Sequence, residues 1–317
     1  MNFRIKIFIL FILGVVTSNS CMDSIKFKNK GRFIPQDWFE GDYLPMAQAI
    51  YNGDTREIEN QIKNKKIDPD GMSPNGRVRF LLYACIMEDV KTVETLLKLG
   101  ADPNKVSPMR PLNDPPTSSM NETPISFAVG RGNWKLTKIL LKNKANPNTP
   151  VGFTAIHSAL GLRNEKQFLD LLFEYGADAS FQEYGTGKNS AQLALLGRRF
   201  GFISYFLDKG ADPLSLDMTG SSLAYSIQKE LENYRGTEKG KQKLEQVKQR
   251  LITEYHISFP VKRDYEKGAK SAIQRFDNLP QEVKDLYGMD DDAKFTQKTK
   301  DSLDVGKTYW GMTIEEV

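Results

Sequence analysis

One short motif recurs five times in this chain at nearly equal steps, and any fold the chain adopts must accommodate that recurrence. The motif reads Lys66-Ile67-Asp68, Gly100-Ala101-Asp102-Pro103-Asn104, Lys144-Ala145-Asn146-Pro147-Asn148, Gly176-Ala177-Asp178 and Gly210-Ala211-Asp212-Pro213. Ile67 to Ala101 is 34 residues, Ala145 to Ala177 is 32 and Ala177 to Ala211 is 34, whereas Ala101 to Ala145 is 44. Such a period predicts a stack of small modules, each unable to bury its apolar face alone and each stabilised by its neighbours.

Each module reads as two helices. Thr123 and Thr154 stand where a hydroxyl caps a helix, and Pro124 occupies a first position where a missing N–H costs nothing. The second helix carries apolar residues at helical spacing, as in Val93, Leu96 and Leu97 or Phe168, Leu171 and Leu172. Gly100, Gly176 and Gly210 then supply the left-handed residue that ends it. The stretches Thr123-Pro124-Ile125-Ser126-Phe127-Ala128 and Thr154-Ala155-Ile156-His157-Ser158-Ala159 resemble the opening of an ankyrin repeat. The resemblance covers about residues 41–258. It implies an all-α ankyrin-repeat solenoid of five to six helix-turn-helix repeats, with a C-terminal cap and a tail. It also implies that His157 hydrogen-bonds between neighbouring hairpins.

The sixth module is degraded. Ser221 to Ser226 open it, a polar break covers Arg235 to Lys241, and Leu244, Val247, Leu251 and Ile252 form a second helix that caps the last apolar face. Residues 259–317 read as a charged tail with one short helix after Pro280 (Val283, Leu286, Tyr287), and Tyr309 and Trp310 suggest partial docking. The long step between the second and third modules comes from residues 105–121, rich in Pro and Ser, which cannot be helical throughout. Insertions of this kind map to loops on one face of an array, often the binding face.

Charge and cysteine usage bound the function. A net charge of +4 over 317 residues lacks the basic excess of a polyanion binder, so no nucleic-acid partner is expected. Arg4 and Lys6 precede an apolar run from Ile7 to Val16 and the small residues Thr17 to Ser20, the order of an export signal over residues 1–20. Ser20-Cys21 resembles the end of a bacterial lipobox, which implies lipidation at Cys21, although Ser18 departs from the usual Leu. Ordinary cleavage after Ser20 is the competing outcome. By the same resemblance, Met22 after the cysteine implies sorting to the outer membrane, with the array in the periplasm. Residues 21–40 read as a linker, and Cys85, the second of two cysteines, reads as a core residue.

No zinc-ligand spacing, phosphate-cradling loop or nucleophile elbow is present, so neither an enzyme nor a cofactor is expected. The two histidines, His157 and His256, fall in different modules, and Asp290 to Asp292 lack the alternate ligands of a calcium loop. What remains is a surface for another protein. In an ankyrin array the residue before the module's Ala tends to face the concave side, which points to Gln48, Tyr83, Phe127, Ser158, Leu193 and Tyr225. The expected patch comprises Tyr83, Phe127, Met87, Arg131 and Arg163, with Met109, Arg110 and Asp114 added by the insertion.

The stretch Phe39-Glu40-Gly41-Asp42-Tyr43-Leu44, followed by Ala47 to Ile50 and Gly53-Asp54, resembles the ankyrin lipoproteins that act as immunity proteins against type VI secretion phospholipase effectors. This implies a periplasmic protein that occludes the effector's catalytic cleft. A periplasmic scaffold that stabilises another envelope protein, or a structural link formed through the tail, are the alternatives.

Overall fold

The computed structural model describes residues 31, 33–72, 78–109, 120–149, 154–286, 297–303 and 308. The export signal, Cys21, Arg110, Asp114, Asp290 to Asp292, Tyr309 and Trp310 lie outside the described residues.

Six antiparallel helix pairs follow one another: α1 (Leu44–Asn52) with α2 (Thr55–Lys63), α3 (Phe80–Ile86) with α4 (Val90–Lys98), and α5 (Pro124–Gly130) with α6 (Trp134–Lys142). The series continues with α7 (Ala155–Ala159) and α8 (Glu165–Glu174), α9 (Ser190–Leu196) and α10 (Phe200–Asp208), then α11 (Leu223–Glu232) and α12 (Glu238–Thr253). Each inner helix packs on the inner helix of the next pair, which makes the one-dimensional stack the spacing predicts. The inner helices of the central repeats are the most enclosed; every residue of α3 is buried.

Local chemistry starts these helices where the sequence places them. The side chains of Thr123, Thr154, Asn189 and Ser222 accept hydrogen bonds from backbone N–H groups at the starts of α5, α7, α9 and α11. Asp54, Asp89 and Asn133 do the same for α2, α4 and α6. At the end of each outer helix the chain turns left-handed: Gly100, Gly176 and Gly210 have φ of 100°, 89° and 90°, and Lys66, Lys144 and His256 take the same place at 61°, 69° and 55°. Three repeats therefore hold a side chain where the other three use glycine, at a cost of roughly 1 kcal/mol each.

Past each turn the chain forms a finger, and the fifth residue of the motif knits the fingers together. Asp70 accepts from the Asp102 backbone N–H at 2.8 Å, Asn104 from Asn146 at 2.6 Å, Asn148 from Asp178 at 2.8 Å and Ser180 from Asp212 at 2.9 Å. Asn104, Asn148 and Ser180 also donate to the carbonyls of Lys144, Gly176 and Gly210. Asp70 accepts only, and burial raises its carboxyl pKa. These bonds satisfy backbone groups that helix ends leave open, so the motif is a ladder as well as a turn.

Four regions differ from the sequence expectation. Within residues 21–40, the described part is no linker: Phe33, Trp38 and Phe39 are buried, and these rings cover the N-terminal side of the first module. Within residues 105–121, Ser107–Met109 (β1) pairs antiparallel with Met120–Glu122 (β2), so the insertion leaves and re-enters the array as a short ribbon. In the last module α12 starts at Glu238, inside the expected polar break, because Thr237 caps it; Leu244, Val247 and Leu251 are buried while Ile252 is exposed. The tail carries more structure than one short helix: α13 (Tyr265–Asp277) precedes α14 (Gln281–Leu286).

Among the described residues no helix is long and apolar enough to cross a membrane. Cys85 is a free, fully enclosed thiol whose pKa burial pushes up to about 12, a core residue with little thiolate character.

Candidate partner-binding face

The inner helices and fingers that carry the expected patch do not present it uniformly. Tyr83 is sealed: its ring meets Phe39 edge-on at 5.1 Å and its Oη donates to the Phe33 carbonyl at 2.6 Å. Because the segment at 33–39 covers it, Tyr83 is a packing residue rather than an exposed anchor. Phe127 is 6% exposed, and the Arg131 guanidinium lies 5.3 Å from its ring centroid. Of the remaining positions before the module's Ala, Leu193 is buried, whereas Gln48, Ser158 and Tyr225 are half-buried.

Arg131 and Arg163 are exposed and Met87 is half-buried. Arg131 caps the C-terminal end of α5, and Arg163 sits in the turn between α7 and α8. A methyl group on Gly132 would stand 3.9 Å from Leu162, so these two turns abut and bring the arginines onto one edge. Met109 ends β1 and pairs with Met120, at the end of the ribbon away from α5. The structure thus gathers Phe127, Arg131 and Arg163 along repeats three and four, and removes Tyr83 from the surface.

A residue with no motif signal lies within electrostatic reach of Arg131. Glu122, the last residue of β2, has a buried Oε2 with no hydrogen-bond partner among the described residues. Burial pushes its carboxyl up to about 7, against the attraction of Arg131. Its position beside the capping Thr123 is the one hint the sequence holds.

The fingers of the later repeats carry further charge. His157 Nδ1 lies 3.4 Å from Glu183 Oε2 of the next finger, an approach that is not a hydrogen bond. Lys188 pairs with Asp217; burial opposes ionisation of Asp217, but Lys188, Thr219 and the Ser221 N–H hold its pKa below the ordinary value. His256 is exposed. Among the described residues no group of three His, Cys, Asp or Glu side chains is arranged to hold a metal ion.

The tail lies across these fingers. The Asp264 N–H donates to the Gly220 carbonyl at 3.0 Å, and Gly268 in α13 meets the Gly220 backbone so closely that a methyl group on either glycine would overlap the other strand of chain. Further on, Arg275 Nη1 reaches Gln182 Oε1 at 3.4 Å, and the Phe276 and Tyr184 rings lie 6.4 Å apart. Leu279 and Val283 then bury themselves with Val106, next to β1. The chain therefore runs back from the sixth repeat to the finger that leads into the insertion. Its composition alone, charged and without a module motif, gave no sign of this path.

No family model matches the chain. An ANK repeat-containing protein of Caenorhabditis elegans, nipk-1, is 27% identical over 129 residues, which is 36% of this chain. The match covers 20% of that protein's length. Among solved structures, the ankyrin repeat domain of Bcl-3, a member of the IkappaB protein family, aligns with a TM-score of 0.49 at 18% identity, over 76% of this chain and 96% of that one. Six stacked helix pairs, left-handed turns at the repeat period and fingers joined by a side-chain ladder give this chain an all-α solenoid of ankyrin-repeat type, and over part of its length it is similar to the repeat-bearing relative.

Proposed function

We propose that this protein is a lipid-anchored ankyrin protein of the bacterial envelope that binds a type VI secretion phospholipase effector and covers its catalytic cleft. A protein-interaction role is what the ankyrin fold supports in general, since its repeats build an extended binding surface rather than a reaction centre. The observation that carries the finer reading is the pair of exposed arginines, Arg131 and Arg163, on one edge beside the repeat that bears the insertion. Arginine is favoured at interface hot spots because its planar fork binds carboxylates in two-point contacts. The resemblance of Phe39 to Ile50 to lipase immunity proteins supplies the partner class, and Ser20-Cys21 supplies the anchor at the outer membrane, in the periplasm.

The test is co-expression of this protein with a periplasmically targeted phospholipase effector encoded beside it. Survival of cells making the full chain, and its loss when Arg131 and Arg163 are both changed to Glu, is the expected result. Killing that proceeds unchanged in the presence of the full chain overturns the immunity reading. Radiolabelled palmitate incorporation that disappears in Cys21→Ala checks the anchor separately.

A further inference from the structure

The tail touches the array in two chemically different places. Near its start, Tyr265 and Ala269 are buried and Gly268 sits backbone to backbone on Gly220, a contact that tolerates no added atom. Farther along, the attachment is a small cluster, Val106 with Leu279 and Val283, flanked by Tyr184 and Phe276 and separate from the main core among the described residues. Between the two, Arg275 is held by Gln182 and by Ser271 of its own helix, and the Asp217 carboxylate attracts it. Its Nε and Nη2 are nevertheless buried with no hydrogen-bond partner among the described residues. A buried donor without a partner loses its hydration and gains nothing back, so the seat is shaped for a guanidinium yet this one fills it incompletely.

We propose that the fingers around Val106, Gln182 and Tyr184 form a receptor for a short basic-apolar peptide segment with one basic residue followed by apolar residues one, four and eight positions on, and that residues 275–283, which run from the end of α13 through the turn into α14, occupy it in cis until a partner segment of that chemistry displaces them. The spacing is that of Arg275, Phe276, Leu279 and Val283. The clamp at Gly220 and Gly268 keeps the displaced segment tethered, so the array opens without losing its C-terminal cap. A partner whose basic residue pairs all its donors replaces an imperfect occupant with a better one. The inference rests on the protein-binding reading and adds to it the chemistry of the partner and the means of regulation.

A fluorescein-labelled peptide with the sequence of residues 271–286, titrated by fluorescence anisotropy, tests this on the full chain. Tethering gives the native segment an effective concentration of about millimolar, so it excludes the peptide from the unaltered protein. The double variant Leu279→Asp, Val283→Asp frees the seat and is expected to bind the peptide at least ~10-fold more tightly. Equal binding to both proteins, or binding to neither, overturns the proposal. Native-state hydrogen exchange of the unaltered protein is the companion measurement: amides of 276–286 should exchange at least ~10-fold faster than those of 265–272, and equal protection would mean one rigid unit. Neither measurement contains a lipase. Failure of cell protection alone therefore removes only the effector, and failure of the peptide assay alone removes only the displaceable segment.

Discussion

The two ends of the array are closed by opposite means. At the N-terminal end the closure is apolar and continuous with the core: Phe39 stacks on Phe80 at 5.1 Å, Phe33 and Trp38 pack beside it, and the Tyr83 hydroxyl ties the segment down. At the C-terminal end, beyond α12, the tail is fixed by close backbone approach at Gly220 and Gly268 and thereafter by one incompletely paired arginine and three buried apolar side chains. An end sealed by large rings can leave only if the first repeat unfolds with it. An end held at one tight point and one small cluster can open in part, which suits a surface that must be vacated for a partner.

The sharpest way to break the contrast is at Phe39. Phe39→Ala removes a fully buried ring from the main core and should cost about 3–5 kcal/mol, read as a lower midpoint for the whole transition in denaturant. A loss confined to the N-terminal segment, with the rest of the array unchanged, would mean that this end is as separable as the tail.

Glu122 lies between the ends and should act on neither alone. Its carboxyl titrates near 7 in the folded chain, against an ordinary value of 4.5 for an unfolded glutamate. Between those two pH values the folded state holds a proton that the unfolded state has released, so stability falls as pH rises through that window. The cost is complete above pH ~7 and amounts to at most about 3 kcal/mol. Glu122→Gln should therefore match the native protein at about pH 4 and exceed it in stability at about pH 8, measured by thermal melts across the range. A pH-independent difference would mean that the carboxylate is hydrated.

The C-terminal clamp is tested by Gly268→Ala, which forces a methyl group into the Gly220 backbone and should cost about 1–3 kcal/mol. The expected reading is rapid proteolysis confined to residues 264–286 with the melting of repeats one to four unaltered. Destabilisation of the whole array would show that the tail is part of its core. The smallest effect is expected at Lys144, which holds φ of 69° where three other repeats have glycine. Lys144→Gly should stabilise by about 0.5–1 kcal/mol, measured as a raised denaturation midpoint, while leaving both ends as they are.

The parts legible in sequence are those governed by neighbours a few residues away. Capping hydroxyls, the left-handed glycines and the apolar spacing of Val93 or Phe168 act within one helix or turn, so the six pairs could be read from their residues. The candidate site was less legible. Tyr83 has the identity and position of an exposed anchor, and only the fold brings residue 33 over it, a contact fifty residues distant in the chain. Arg275 and Gln182 are separated by 93 residues, and Glu122 carries no motif at all.

By itself, then, the sequence determined a stack of two-helix modules, its period, the place of the insertion and the terminal cap, because local hydrogen bonding and apolar periodicity repeat with the chain. Tertiary structure alone decided which faces of that stack stay open. An end or a finger is covered according to which distant segment finds complementary shape there. The aromatic lid at residues 33–39 and the tail on the fingers both depend on contacts whose partners the local pattern does not specify.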